Sequence, residues 1–179
     1  MMPRKYARIT EHFYLWEFLQ SEVMPNLSEY VPCPQEMANL TRLAMCLEGV
    51  RAEFESAIRI TSGARPDTVR RLSDGAPFWR VLHEWGYPAS KTSQHRFFCA
   101  CDFTLHDASV SLWDVFWWLA DSEPTPNQTI LYVDERSIGR FIHCGIKDFN
   151  NPIKGTANPL LVHSEGVYSV PKAKHLDRK

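Results

Sequence analysis

Ser93-Gln94-His95-Arg96-Phe97-Phe98-Cys99-Ala100-Cys101-Asp102-Phe103-Thr104-Leu105 is the stretch on which the reading of this chain turns. Its second half predicts a strand over 98–105. Alternation then sets Ala100, Asp102 and Thr104 on one face, and Cys101, Phe103 and Leu105 on the other. A carboxylate in the middle of an apolar strand is costly unless a charge or a strong hydrogen bond meets it. His143 poses the same problem in the apolar run 140–146. It shares a face with Phe141 and Gly145, while Ile142, Cys144 and Ile146 point the other way. If those two strands are neighbours, Asp102 and His143 meet. Two readings of the residue types stay open: a buried Asp–His hydrogen bond without metal, or a zinc site built from His95, Asp102 and His143. Two imidazoles, one carboxylate and an open fourth position suit catalytic zinc, whose bound water becomes a nucleophile near neutral pH. The spacing alone does not decide between them.

Working outward, Phe13, Leu15, Trp16, Phe18 and Leu19 suggest a short helix over 13–19, and Pro25, Asn26, Pro32 and Pro34 mark a loop over 24–34. Pro34 suits the first turn of a long helix whose apolar stripe is Met37, Leu40, Ala44, Leu47, Val50 and Phe54. A strand is expected over 57–61, short helices over 66–72 and 76–85, a loop over 89–92, and an apolar helix over 112–119 whose tryptophans belong to the core. Strands at 129–133 and 140–146 flank a hairpin connection over 134–139. In the tail, 160–162 and 167–170 flank Glu165-Gly166 as a small hairpin, and 172–179 should fray. The fold class expected is α+β, with a mostly antiparallel central sheet and helices packed on one side. The main domain is expected over 1–149 and a C-terminal extension over 150–179.

The chain has 179 residues, enough for one domain with a sizeable core, and a net charge of −1, which offers no field to draw it to nucleic acid or to an anionic membrane. Five scattered cysteines without a CxxC pair read as reduced core thiols. Residues 1–6 carry no apolar stretch behind their charges, so no secretory signal is expected and the protein is expected to be cytoplasmic on synthesis. No run approaches a membrane span. His12, His83, His106, His163 and His175 read as ordinary surface or core residues.

The segment 93–102 resembles the SxHxxGxAxD signature of the zinc D-Ala-D-Ala carboxypeptidase family, which includes bacterial D,D-carboxypeptidases and dipeptidases and phage endolysin endopeptidases. Thr61-Ser62-Gly63-Ala64-Arg65-Pro66 resembles its upstream SGYRS-like segment, Phe141-Ile142-His143-Cys144 its terminal WxH-type strand, and the stretch 13–21 the opening of its phage-type members. The four segments stand in the family's order. The resemblance implies a hedgehog/D,D-peptidase-like fold, zinc held by His95, Asp102 and His143, Arg65 on a substrate carboxylate or developing oxyanion, and Ser93 beside the substrate backbone. Two departures stand out. Phe98 occupies the usual glycine position. Arg140 occupies the position, three residues before the last ligand, where the family places a base, and a guanidinium takes no proton at neutral pH. Asp134 and Glu135, at the start of the hairpin, are the nearest candidates for that base.

The function implied is a zinc-dependent peptidase that hydrolyses peptide bonds in peptidoglycan stem peptides, as a D,D-carboxypeptidase or an endolysin-type endopeptidase. A phage origin is expected; the sequence sets no oligomeric state, with a monomer the favoured expectation, and the protein would reach the wall on lysis or with another protein's help. The alternative is a zinc-containing module on the same scaffold that binds wall peptide or a protein without cleaving it, motivated by Arg140 and Phe98.

Overall fold

The computed structural model describes residues 7–86, 93–122, 126–147 and 160–171. The expectations for the loop over 89–92 and for the end over 172–179 lie outside these residues. The order is α1 (Leu15–Phe18), a 3-10 turn (Pro25–Glu29), α2 (Pro34–Phe54), β1 (Ile58–Ser62), α3 (Phe78–Glu84), a 3-10 turn (Gln94–Phe97), β2 (Ala100–Leu105), α4 (Leu112–Asp121), β3 (Gln128–Val133), β4 (Gly139–Gly145), β5 (Leu160–Ser164) and β6 (Val167–Ser169). No helix among the described residues is long and apolar enough to cross a membrane.

The strands form one sheet in the order β1-β2-β4-β3-β5-β6. All neighbours are antiparallel except β3 and β5, which run parallel. The expected α+β class with a mostly antiparallel sheet is what the chain forms. The tail's hairpin joins the same sheet through β5, and its turn uses Glu165 (φ 48°) and Gly166 (φ 83°). Two successive positive φ angles match the right-handed twist of a two-residue hairpin.

One face of the sheet is the core face. Cys101, Phe103, Leu131, Ile142 and Cys144 are fully buried there. Helix α2 reaches it through Cys46, whose sulfur touches that of Cys144. Helix α4 reaches it through Leu112, close to Gly139 and Leu131. The start of α2 follows the sequence signals: Pro34 at its first position, and the Glu36 carboxylate accepting from the Cys33 N–H at 2.7 Å. Its buried stripe is Leu40, Leu43, Ala44, Leu47 and Val50. The other face of the sheet carries Arg59, Asp102, Thr104, Phe141, Tyr132 and His163, all at least partly exposed.

The helix expected over 66–72 does not form. The Val69 N–H closes a turn onto Pro66, the Arg71 N–H bonds Ala76 O, and the Gly75 N–H bonds back to Arg71 O. The backbone groups a helix would use are thus paired across a tight return, braced by the Arg71–Asp74 ion pair at 2.6 Å. The turn residues Ser73, Asp74 and Gly75 outweigh the start signal of Pro66.

Candidate metal centre

Three parts of the chain converge on the open face. Register sets Asp102 of β2 directly opposite His143 of β4. A bulge in β1 between Ile60 and Ser62 brings Ser62 opposite Asp102 on its other side. His95 comes from the 3-10 turn that precedes β2. That turn is held from two directions. Asn39 of α2, itself buried, donates to Phe97 O at 2.9 Å, and the Arg65 N–H donates to His95 O at 2.9 Å. The turn ends at Phe98, whose φ of 59° lies in the left-handed region where glycine is usual. The phenylalanine holds this conformation with its ring fully buried and stacked on Tyr30 at 5.8 Å. The chain therefore keeps the backbone turn that glycine would make and offsets its strain by apolar burial.

The donor atoms form a small triangle. His143 Nδ1 lies 2.8 Å from Asp102 Oδ1, His95 Nε2 lies 3.2 Å from His143 Nδ1, and His95 Nε2 lies 3.3 Å from Asp102 Oδ1. Four ligands at roughly 2.0–2.1 Å around a tetrahedral ion would stand about 3.3 Å apart. The triangle thus has nearly the size of one face of such a tetrahedron. These three residues lie close enough to hold a metal ion, and no other group of His, Cys, Asp or Glu among the described residues does.

Neighbouring bonds set the protonation of the donors. His95 Nδ1 lies 2.7 Å from Gly63 O, a carbonyl that only accepts, so the ring proton is there and the Nε2 lone pair faces the triangle. Burial first, then the charge of Arg65, pushes the His95 pKa down to about 4, so the ring is neutral at pH 7. Burial also opposes the charge on Asp102, but the neighbouring imidazoles, with His143 Nδ1 as its hydrogen-bond partner at 2.8 Å, outweigh it and hold the carboxyl well below the usual range. A lone pair and an anion this close need a shared proton on His143 Nδ1 or a cation between them. The side chains of Asp102 and His143 remain 14% and 10% exposed while that of His95 is at 3%, so the triangle opens to solvent on the β2–β4 side.

Arg65 stands beside this group. Its Nη2 is 2.7 Å from Ser62 Oγ and 3.4 Å from Asp102 Oδ2. The carboxylate is thus divided, one oxygen to the imidazoles and one to the guanidinium. Gly63, whose carbonyl meets His95, packs directly against the backbone of Phe18, where a Cβ would not fit. Gly145, next along the face from His143, leaves room for the Gln94 side chain, whose amide donates to Ile146 O at 3.1 Å. Ser93 sits just ahead of the 3-10 turn, its carbonyl accepting from the Arg96 N–H at 3.1 Å.

Asp134 and Glu135 are not brought to the triangle. Ile130, not Asp134, is level with His143, and four residues of strand amount to about 13 Å. The Asp134 carboxylate accepts from the N–H groups of Arg136 and Ile138, both at 2.9 Å, and these bonds hold its pKa low. It organises the hairpin turn. Glu135 is exposed in the same turn.

Sequence reasoning missed two features. Asn39 lies outside the apolar stripe read for α2, although its place beside Leu40 is a signal in hindsight. The second is an aromatic wall on the face that carries the triangle. Tyr132 stacks on Phe141 at 4.2 Å and lies 4.7 Å from His163, which lies 4.6 Å from Tyr168. The Tyr132 and Tyr168 hydroxyls meet at 3.2 Å, and burial raises the Tyr132 pKa, keeping the phenol protonated. His163, read as ordinary, is a member of this wall. Comparison with family models, with curated proteins and with solved structures gave no match, so the site is interpreted from its own geometry.

Proposed function

We propose that this chain is a zinc-dependent peptidase acting on peptidoglycan stem peptides. The observation that carries the reading is the triangle of His95 Nε2, Asp102 Oδ1 and His143 Nδ1, with edges of 2.8–3.3 Å, beside the Arg65 guanidinium. The donor set is the nitrogen and oxygen mixture that zinc favours, with three protein ligands and one side open. When bound, zinc supplies Lewis acidity and lowers the pKa of water at its open position.

The chain's own residues supply the rest. Gly63 O fixes the His95 tautomer, so the ligating lone pair is ready without rearrangement. His143 has to carry its ring proton on Nε2 for Nδ1 to ligate. Asp102 would hold the metal through one oxygen while the other stays on Arg65, which orients the guanidinium. A fork of N–H donors there suits a substrate carboxylate or a carbonyl oxygen gaining charge. The wall of Phe141, Tyr132, His163 and Tyr168 supports a substrate laid across the same face.

A second reading, a zinc-holding module that binds wall peptide without cleaving it, is favoured by one specific observation. Asp134 is committed to backbone N–H groups of its turn, and Arg140 stands where the family resemblance expects a base. A single experiment separates the readings. The purified chain is assayed for zinc, then incubated with Gram-negative peptidoglycan while released amines and carboxyls are measured. Stoichiometric zinc with new peptide termini is expected. Zinc without new termini would favour the binding module, and failure to retain zinc would remove both.

A further inference from the structure

Behind the triangle, on the core face of the same two strands, lies a group of thiols. Cys101 precedes Asp102 and Cys144 follows His143, so alternation turns both sulfurs into the core, and register sets the two residues directly across from each other. Cys46 reaches the same place from α2, its Sγ 4.0 Å from Cys144 Sγ. All three are free thiols here. Cys101 and Cys144 are fully buried, whereas Cys46 is partly exposed. A disulfide needs its sulfurs at about 2.05 Å. Two sulfurs already in contact, one on a helix and one on the strand beneath it, need only modest side-chain rotation and a small helix shift to close that gap.

We propose that Cys46 and Cys144 are a redox-active pair that closes to an intramolecular disulfide when the chain meets a small-molecule disulfide oxidant. The bond would tie α2 to β4, the strand that carries His143. The partly exposed sulfur takes the first step. The Cys46 thiolate attacks one sulfur of the oxidant, for example oxidised glutathione; the oxidant's S–S bond breaks, one glutathione thiolate leaves and a mixed disulfide remains. Cys144 then attacks the Cys46 sulfur, losing its proton to the departing second glutathione. Two protein thiols are oxidised and one oxidant disulfide is reduced to two thiols. Cys101 is fully buried and has no exposed sulfur with which to begin such an exchange. In a reducing compartment the pair stays open; in an oxidising one it closes. The link would span 98 residues of chain, a separation at which a cross-link strongly restricts the unfolded state.

The test uses the full chain equilibrated in glutathione buffers of increasing oxidised fraction. Intact mass should fall by two hydrogens, and peptide mapping should join Cys46 to Cys144. The thermal midpoint should rise by on the order of 5–10 °C and return when dithiothreitol is added. Cys46→Ser should abolish the mass change, and Cys101→Ser and Cys33→Ser should each leave it intact. A chain that keeps all its hydrogens after prolonged oxidation would overturn the proposal. So would a map joining Cys144 to Cys101, or one showing only a glutathione adduct on Cys46. None of these readouts requires metal or peptidase activity.

Discussion

The two ends of the β3–β4 hairpin use aspartate in opposite ways. Asp102, beside the far end of β4, is nearly enclosed and shared among the His95 imidazole of the preceding turn and two groups from distant parts of the chain, the His143 imidazole and the Arg65 guanidinium. Asp134, at the turn, is satisfied by the N–H groups of Arg136 and Ile138, within four residues of itself. Both carboxyls are held below their ordinary range, but for different reasons: neighbouring imidazoles in one case and local backbone dipoles in the other. A depressed carboxyl is therefore no mark of a functional site until its partners are named.

The sharpest way to break this contrast is metal retention. His95→Ala and Asp102→Ala should each abolish retained zinc, a loss larger than the roughly 10–100-fold weakening typical of an outer-shell change. Asp134→Asn and Glu135→Gln should leave zinc content unchanged. Measuring metal in the four purified variants checks this, and zinc lost from the Asp134 variant would erase the distinction between the two ends.

Backbone strain offers the next comparison. Phe98 at the site and Ser137 in the hairpin turn both adopt left-handed φ angles, 59° and 61°. Phe98→Ala removes a fully buried ring without relieving the strain and should cost roughly 3–4 kcal/mol in urea unfolding. Ser137→Gly relieves the strain at an exposed position and keeps the carbonyl that accepts from the Trp113 indole, and should be neutral or slightly stabilising. Equal effects at the two positions would mean that the Phe98 ring does not offset its backbone.

Acid should also act on one end first. With a chelator present, His95 is neutral in the folded state down to about pH 4, whereas an unfolded histidine takes a proton near 6.5. As pH falls from about 6.5 to 4 the unfolded chain gains a proton that the folded chain refuses, so stability drops, by up to on the order of 3 kcal/mol. Unfolding curves across that range should show the slope in the parent chain and in Asp134→Asn. His95→Gln should flatten it. A flat profile for the metal-free parent would mean that His95 is not held neutral.

Much of this was legible before folding. The long α2 stripe, the strands over 100–105, 128–133 and 139–145, and the tail hairpin follow from apolar periodicity and turn residues, which act over a few neighbours. The helix expected over 66–72 failed on the same scale, because Ser73-Asp74-Gly75 offered the backbone a tighter partner than helix. The placement of Asp134 and Glu135 failed on a longer scale: closeness in sequence to a ligand strand gives no closeness in space when the extended chain carries them about 13 Å along it.

The sequence by itself determined that Asp102 and His143 each sit as polar groups in apolar strands and that each turns away from its neighbouring cysteine. A period of two residues is a property of the extended chain and needs no partner. Only the tertiary structure decided that β2 and β4 are adjacent with those two residues in register, that Gly63 O sets the tautomer of His95, and that Cys46 meets Cys144 behind them. Such contacts depend on which distant surfaces bury each other, and that choice belongs to the whole core.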